Sequence, residues 1–287
     1  MAVIIHFFRL RTKPRIDYEK LIYFFDGLDY CTINTNDDNV EMVCTDPIFD
    51  FPYRFLITKR SRVNSIYNLN SEYYNINLLV EIPSVLPEFV SRGILKFISE
   101  LCHLFELDIY YNGVKDIEPF DMTKMIAYLA HERSAYLEEH KELEPHYVKR
   151  DKLNQICNFQ QMLPYLPEKF KGEAIANPYL VFVDNRNQEV VFSVVWKLGS
   201  AMFFPPHLDY IHIEDENQFT TIVPAQVFFK YAEKHMFEIK DLLPNMRLLL
   251  LQGRNVNRVK KLMRKFRKVQ ESATNFTEIR IIDLIES

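Results

Sequence analysis

A chain of 287 residues that is 48% hydrophobic and 26% charged has the composition of a globular protein, which excludes a largely disordered one. Its 39 acidic against 35 basic residues, a net charge of −4, exclude a global attraction to nucleic acid or anionic membrane, so any such contact has to be local. With 14% aromatics and only 6 glycines, filled cores are favoured over mobile loops, and the length suggests two of them.

Residues 2–8 form a short apolar run suited to a buried strand. This start lacks the basic residues, longer core and small-residue cleavage site of a secretory leader. No run approaches the roughly 18 apolar residues of a membrane span, and the expected location is cytoplasmic. From Asp17 to Leu28, the spacing of Leu21, Ile22, Phe24, Phe25 and Leu28 predicts a helix. Strands are predicted at 40–45, 53–59 and 75–82; in the last, Ile76, Leu78, Val80 and Ile82 alternate with Asn75, Asn77 and Glu81. A long helix over 86–105 carries the stripe Leu86, Val90, Ile94, Phe97, Ile98, Leu101 and Phe105, with Pro87 in its first turn. A strand follows at Leu107–Tyr111, and Asp121 is placed to cap a helix bearing Met125, Ile126 and Leu129.

The polar stretch around Glu138–His146 marks a boundary between a first domain, 1–144, and a second, 145–287. Beyond a helix near 151–163, strands at 179–183 and 190–197 flank the turn residues Asn185–Gln188. Those at 209–213 and 219–223 flank Glu214–Gln218. Pro224 opens a predicted helix reaching Leu243, followed by a buried strand at Met246–Leu251, a basic helix at 255–271 and a last strand near 277–285. Both halves run strands, proline, long helix, buried strand and helix, an order that an ancient duplication would produce. The expected fold is α/β (mixed α+β), two sheet-containing halves with helices packed on mixed sheets.

Glycines Gly27, Gly93, Gly113, Gly172, Gly199 and Gly253 are never clustered. That excludes the phosphate loop, the dinucleotide fingerprint and the nucleophile elbow, each of which needs closely spaced glycines. The pair His131–Glu132 begins like a zinc-protease helix, but Ala135 stands where the second imidazole is needed. His207, Asp209 and His212 are close in sequence, yet an extended segment puts the first two on one face and the third on the other. His235, His103 and Trp196 lie among apolar residues and read as core or core-edge groups. Paired carboxylates such as Asp37–Asp38 and Asp215–Glu216 fall in polar turns, where solvation is expected, and do not mark a glycosidase. Cys31, Cys44, Cys102 and Cys157 are 13 or more residues apart with no CxxC pair, and read as four reduced thiols without structural zinc. No cofactor is expected.

One constellation stands apart. Arg254, Arg258, Lys260, Lys261, Arg264, Lys265, Arg267 and Lys268 fall within fifteen residues that contain no acid. Of the 35 basic residues the other 27 face 39 acidic ones, so the positive charge is concentrated here. Val256, Val259, Leu262, Met263, Phe266 and Val269 recur every three to four residues and give the segment an apolar face to dock on a sheet. The functional expectation is a non-enzymatic cytosolic binding or adaptor protein that engages an acidic partner through this helix. Alternatives are nucleic-acid binding by the same helix, an enzyme whose site none of these motifs reveals, or a crossover helix with a merely solvated basic face. Two lesser basic runs, 9–15 and 59–62, sit at the ends of predicted strands.

Overall fold

A computed structural model describes residues 2–64, 66–169, 171–172, 174–239, 242–249, 257–258 and 261–287. The chain divides into two compact units, Met1–Lys141 and Glu142–Ser287. It is a mixed α/β protein.

In the first unit, strands β1 (Ala2–Leu10), β2 (Cys31–Thr35), β3 (Asn39–Thr45), β4 (Pro52–Thr58), β5 (Tyr73–Pro83) and β6 (Asp108–Tyr110) make one sheet. Its order is β2-β3-β4-β5-β1-β6, and every neighbouring pair is antiparallel. Alternation decides which face is buried. Met42, Phe55, Val80 and Ile5 stand in register across four strands and are all fully buried. Helix α1 (Tyr18–Asp26) and helix α2 (Glu88–Phe105) cover that face: the rings of Phe25 and Phe97 lie 4.8 and 5.8 Å from Phe55. Asp17 caps α1 by accepting from the Lys20 N–H. Pro87 is the cap residue of α2, one position before the predicted first turn, and Glu106 ends that helix in the left-handed region. Helix α3 (Met122–Glu139) is capped by Asp121 and buries Arg133, which donates to the Leu86 carbonyl.

The expectation of four thiols is overturned. Cys31 and Cys44 form a disulfide, with Cα atoms 4.1 Å apart. Their separation in sequence hid the pairing, because β2 is half polar and its hairpin partner β3 was the only strand predicted there. Folding places the two cysteines opposite each other. The neighbouring pair Tyr30–Thr45 carries the hydrogen bond, so the cysteines occupy the narrow, non-hydrogen-bonded position where side chains come closest. Cys102 and Cys157 are free and buried.

The second unit begins with β7 (Tyr147–Val148), α4 (Arg150–Met162), α5 (Leu166–Lys169) and β8 (Ile175–Ala176). The predicted hairpin β9 (Leu180–Asp184) and β10 (Glu189–Lys197) follows, its turn held by the Asp184 carboxylate accepting from the Arg186 N–H. Then come β11 (Met202–Phe204), β12 (Tyr210–Glu214), β13 (Thr220–Pro224), α6 (Ala225–Ala232), β14 (Phe237–Glu238) and β15 (Arg247–Leu249). The last elements are α7 (Met263–Phe266), β16 (Phe276–Ile279) and β17 (Ile285–Glu286). One sheet has the order β13-β12-β10-β9-β16 with β10 and β12 parallel; another has the order β14-β15-β11-β8, and β17 pairs β7. The strand orders of the two units differ, so the shared sequence order does not give a shared topology.

The helix predicted from Pro224 to Leu243 stops at Ala232. Its apolar pattern continues, but Phe237 and Glu238 pair with Leu248 and Arg247, and ladder formation overrides helical spacing there. No helix among the described residues is long and apolar enough to cross a membrane.

Candidate functional site

The basic segment is anchored from below. Met263 and Phe266 are buried in a cluster with Trp196, Phe204 and Phe228, and the Phe266 and Phe228 rings stack at 5.5 Å. The chain reaches this position by a short helical turn: Phe266 donates to the Leu262 carbonyl, and Arg267 to that of Met263. Beyond it, the Glu271 N–H joins the Ile222 carbonyl on β13 and pins the segment's far end.

The continuous helix predicted over 255–271 is corrected. Among the described residues Asn257 and Arg258 are helical, Lys261 and Leu262 lie in a turn, α7 covers Met263–Phe266 and further turns follow, and Val269, expected on the apolar stripe, is exposed. Two anchors hold one turn on the sheet, and the bridge to Ile222 draws the chain out of helical geometry. Arg254, Lys260, Val256 and Val259 lie outside the described residues.

The six described cations, Arg258, Lys261, Arg264, Lys265, Arg267 and Lys268, are all exposed. Two of them are engaged. Arg267 reaches Asp215 at 3.5 Å, and the Lys265 ammonium lies 4.6 Å from the centre of the Tyr231 ring. Arg258, Lys261, Arg264 and Lys268 form no ion pair among the described residues. Partial burial holds the His235 imidazole below its ordinary range, with smaller contributions from the charges of Lys234 and Arg258. His235 therefore adds no positive charge near neutral pH.

His207, Asp209 and His212 do not converge. The Asp209 carboxylate accepts from the Phe192 N–H at 2.9 Å and faces Lys152 at 3.5 Å. The His207 ring meets Gln155 at 2.9 Å, whereas His212 stacks on Phe182 at 5.3 Å. Asp209 also joins β10 to α6 through its backbone, donating to Phe192 and accepting from Ala225, so its polar atoms serve the fold. Among the described residues no group of three or more His, Cys, Asp and Glu is placed to hold a metal ion.

A second basic region emerges in the first unit. The runs 9–15 and 59–62 leave β1 and β4, which flank β5 in the sheet, and both pass beside Tyr73–Asn77. Two clefts of about 440 and 390 Å³ open there and share Arg11, Tyr74 and Asn75 in their walls. No carboxylate lines either cleft among the described residues. The runs were visible in sequence, but the tyrosines between them were not connected to them, because only strand order brings the two together. No family model, curated protein or solved structure matches this chain.

Proposed function

We propose that this chain is a non-enzymatic binding protein whose segment from Arg258 to Lys268 engages an acidic protein partner. The observation that carries this reading is a division of labour within eleven residues. Met263 and Phe266 are buried beneath, while Arg258, Lys261, Arg264 and Lys268 stand exposed and without an ion pair among the described residues. Arg267 in the same segment reaches a carboxylate, Asp215, whereas these four cations do not among the described residues. Four that find none, on a backbone fixed by core anchors, form a preorganised positive surface.

The test is the triple variant Lys261→Glu, Arg264→Glu and Lys268→Glu, which avoids Lys265 on Tyr231 and Arg267 on Asp215. The wild type should bind polyglutamate with an affinity that falls as salt rises, because exposed charges are screened over about 8 Å at physiological ionic strength. The variant should keep its circular dichroism and lose that binding. Equal polyglutamate binding by both proteins, or none by the wild type, would overturn the reading. An oligonucleotide whose binding is lost in this same variant would replace the protein partner by nucleic acid.

A further inference from the structure

We infer that the first unit carries a separate site, in which the paired clefts along β5 bind single-stranded nucleic acid. Arg11 and Arg15 meet the phosphates, and Tyr67 and Tyr74 meet the bases.

The site is made by topology. Antiparallel pairing sets Leu10 opposite Tyr73, so the run that follows β1 begins beside the start of β5. On the other side, the hydroxyl of Thr58 lies between the Arg60 and Asn77 carbonyls at 2.7 and 3.3 Å, and the chain beyond it brings Ser61 to the Asn75 side-chain amide at 2.7 Å. Between these arms the β1–β5 register shifts, and Asn77 adopts φ +53° with its N–H held by the Asn75 side chain. A bulge of this kind redirects the side chains beside it.

Within this frame the cations are available. Arg11 is positioned by one bond from Nε to the Ser71 carbonyl at 2.8 Å, and its terminal nitrogens make no further bond among the described residues. Arg15 forms no ion pair among them, whereas Lys13 is tied to Glu106. The rings are available too. Tyr74 is oriented through its hydroxyl, which accepts from the Ile16 N–H at 3.0 Å, and this leaves the ring itself as cleft wall. Tyr67 is 97% exposed beside the same cleft system, with nothing among the described residues resting on it.

Cations that track a backbone and tyrosine faces that take bases are the two components of sequence-tolerant single-strand binding. Base faces in a double helix are stacked against one another and cannot reach such rings. A phosphopeptide would use the arginines and leave Tyr67 idle.

The experiment follows fluorescence anisotropy of a labelled oligouridylate on the full chain at rising salt. Binding should weaken with a log–log slope of roughly −0.7 per phosphate contacted. Tyr67→Ala should lose roughly 5- to 150-fold in affinity, and Tyr67→Phe should retain it, since stacking needs the ring and not the hydroxyl. Arg15→Glu should weaken binding and flatten the salt slope. The variant Lys261→Glu, Arg264→Glu, Lys268→Glu should bind the oligonucleotide as the wild type does, which separates this site from the C-terminal segment. No binding at low salt, wild-type affinity in Tyr67→Ala, or loss confined to the C-terminal variant would overturn the inference.

Discussion

His6 on β1 and His212 on β12 each have an imidazole pKa lowered to about 4. Burial is the main cause in both, and the charge of Arg62 adds to it at His6. An unfolded histidine titrates near 6.5. Between pH 6.5 and 4 the unfolded chain therefore binds more protons than the folded one, and stability is full above that window and lost as pH falls through it. His207 and His235 shift in the same direction, again chiefly through burial. Replacing His212 by Leu should remove its share of the acid loss, on the order of 2–3 kcal/mol at pH 4, while changing little at pH 8. Denaturant melts at the two pH values measure this, and an unchanged pH dependence would count against a buried neutral imidazole. Such residues were only partly legible in sequence. An apolar neighbourhood announces the partial burial of His235, but His212 alternates with Ile211 and Ile213 and lies on the opposite face, where Val195 and Ile222 stand opposite it in register and the ring of Phe182 on β9 stacks on it.

The elements read from sequence were those whose period and caps agreed. Asp17 and Asp121 both cap the helices that follow them, and the stripe of α2 buries Val90, Ile94, Ile98 and Leu101. Elements without local signal were missed: β7, β8 and β11 are two or three residues long and exist only because a distant strand pairs with them. For the same reason the disulfide escaped notice, since β2 contributes one edge of the sheet with alternating polar residues. The bond has a measurable consequence. Thiol counting of the unfolded, unreduced chain should find two groups, Cys102 and Cys157, and four after reduction. In the native state neither free thiol should alkylate readily, because both are buried and the Cys102 thiol is pushed up to about 12, first by burial and then by Asp108. Replacing Cys31 and Cys44 by Ser should cost roughly 3 kcal/mol, the usual value for closing a loop of this length. Disulfides are rare in reducing compartments, so this pair counts against the cytoplasmic location expected from the sequence. Four thiols in the unreduced protein would contradict the bond.

At the scale of the whole molecule, length and ring content pointed to more than one core, and each unit contains its own set of packed rings. In the first, Phe25, Phe55 and Phe97 lie within 6.0 Å of one another. In the second, Phe228 is surrounded by Trp196, Phe204 and Phe266 at 5.7, 5.3 and 5.5 Å. The chain's single tryptophan is fully buried in the second set, so its fluorescence reports that core, whereas α2 and α3 make far-UV circular dichroism sensitive to the first. Deleting a buried ring costs roughly 3–5 kcal/mol, and Phe228, with no exposed surface, should fall within that range. Phe97 is half-buried and should cost about 3 kcal/mol or slightly less. With each core unfolding on its own, Phe228→Ala lowers the denaturation midpoint seen by Trp196. Phe97→Ala then lowers a midpoint seen by circular dichroism and leaves the tryptophan transition in place. Midpoints that move together in both probes, whichever ring is removed, would show that the two cores melt as one cooperative structure.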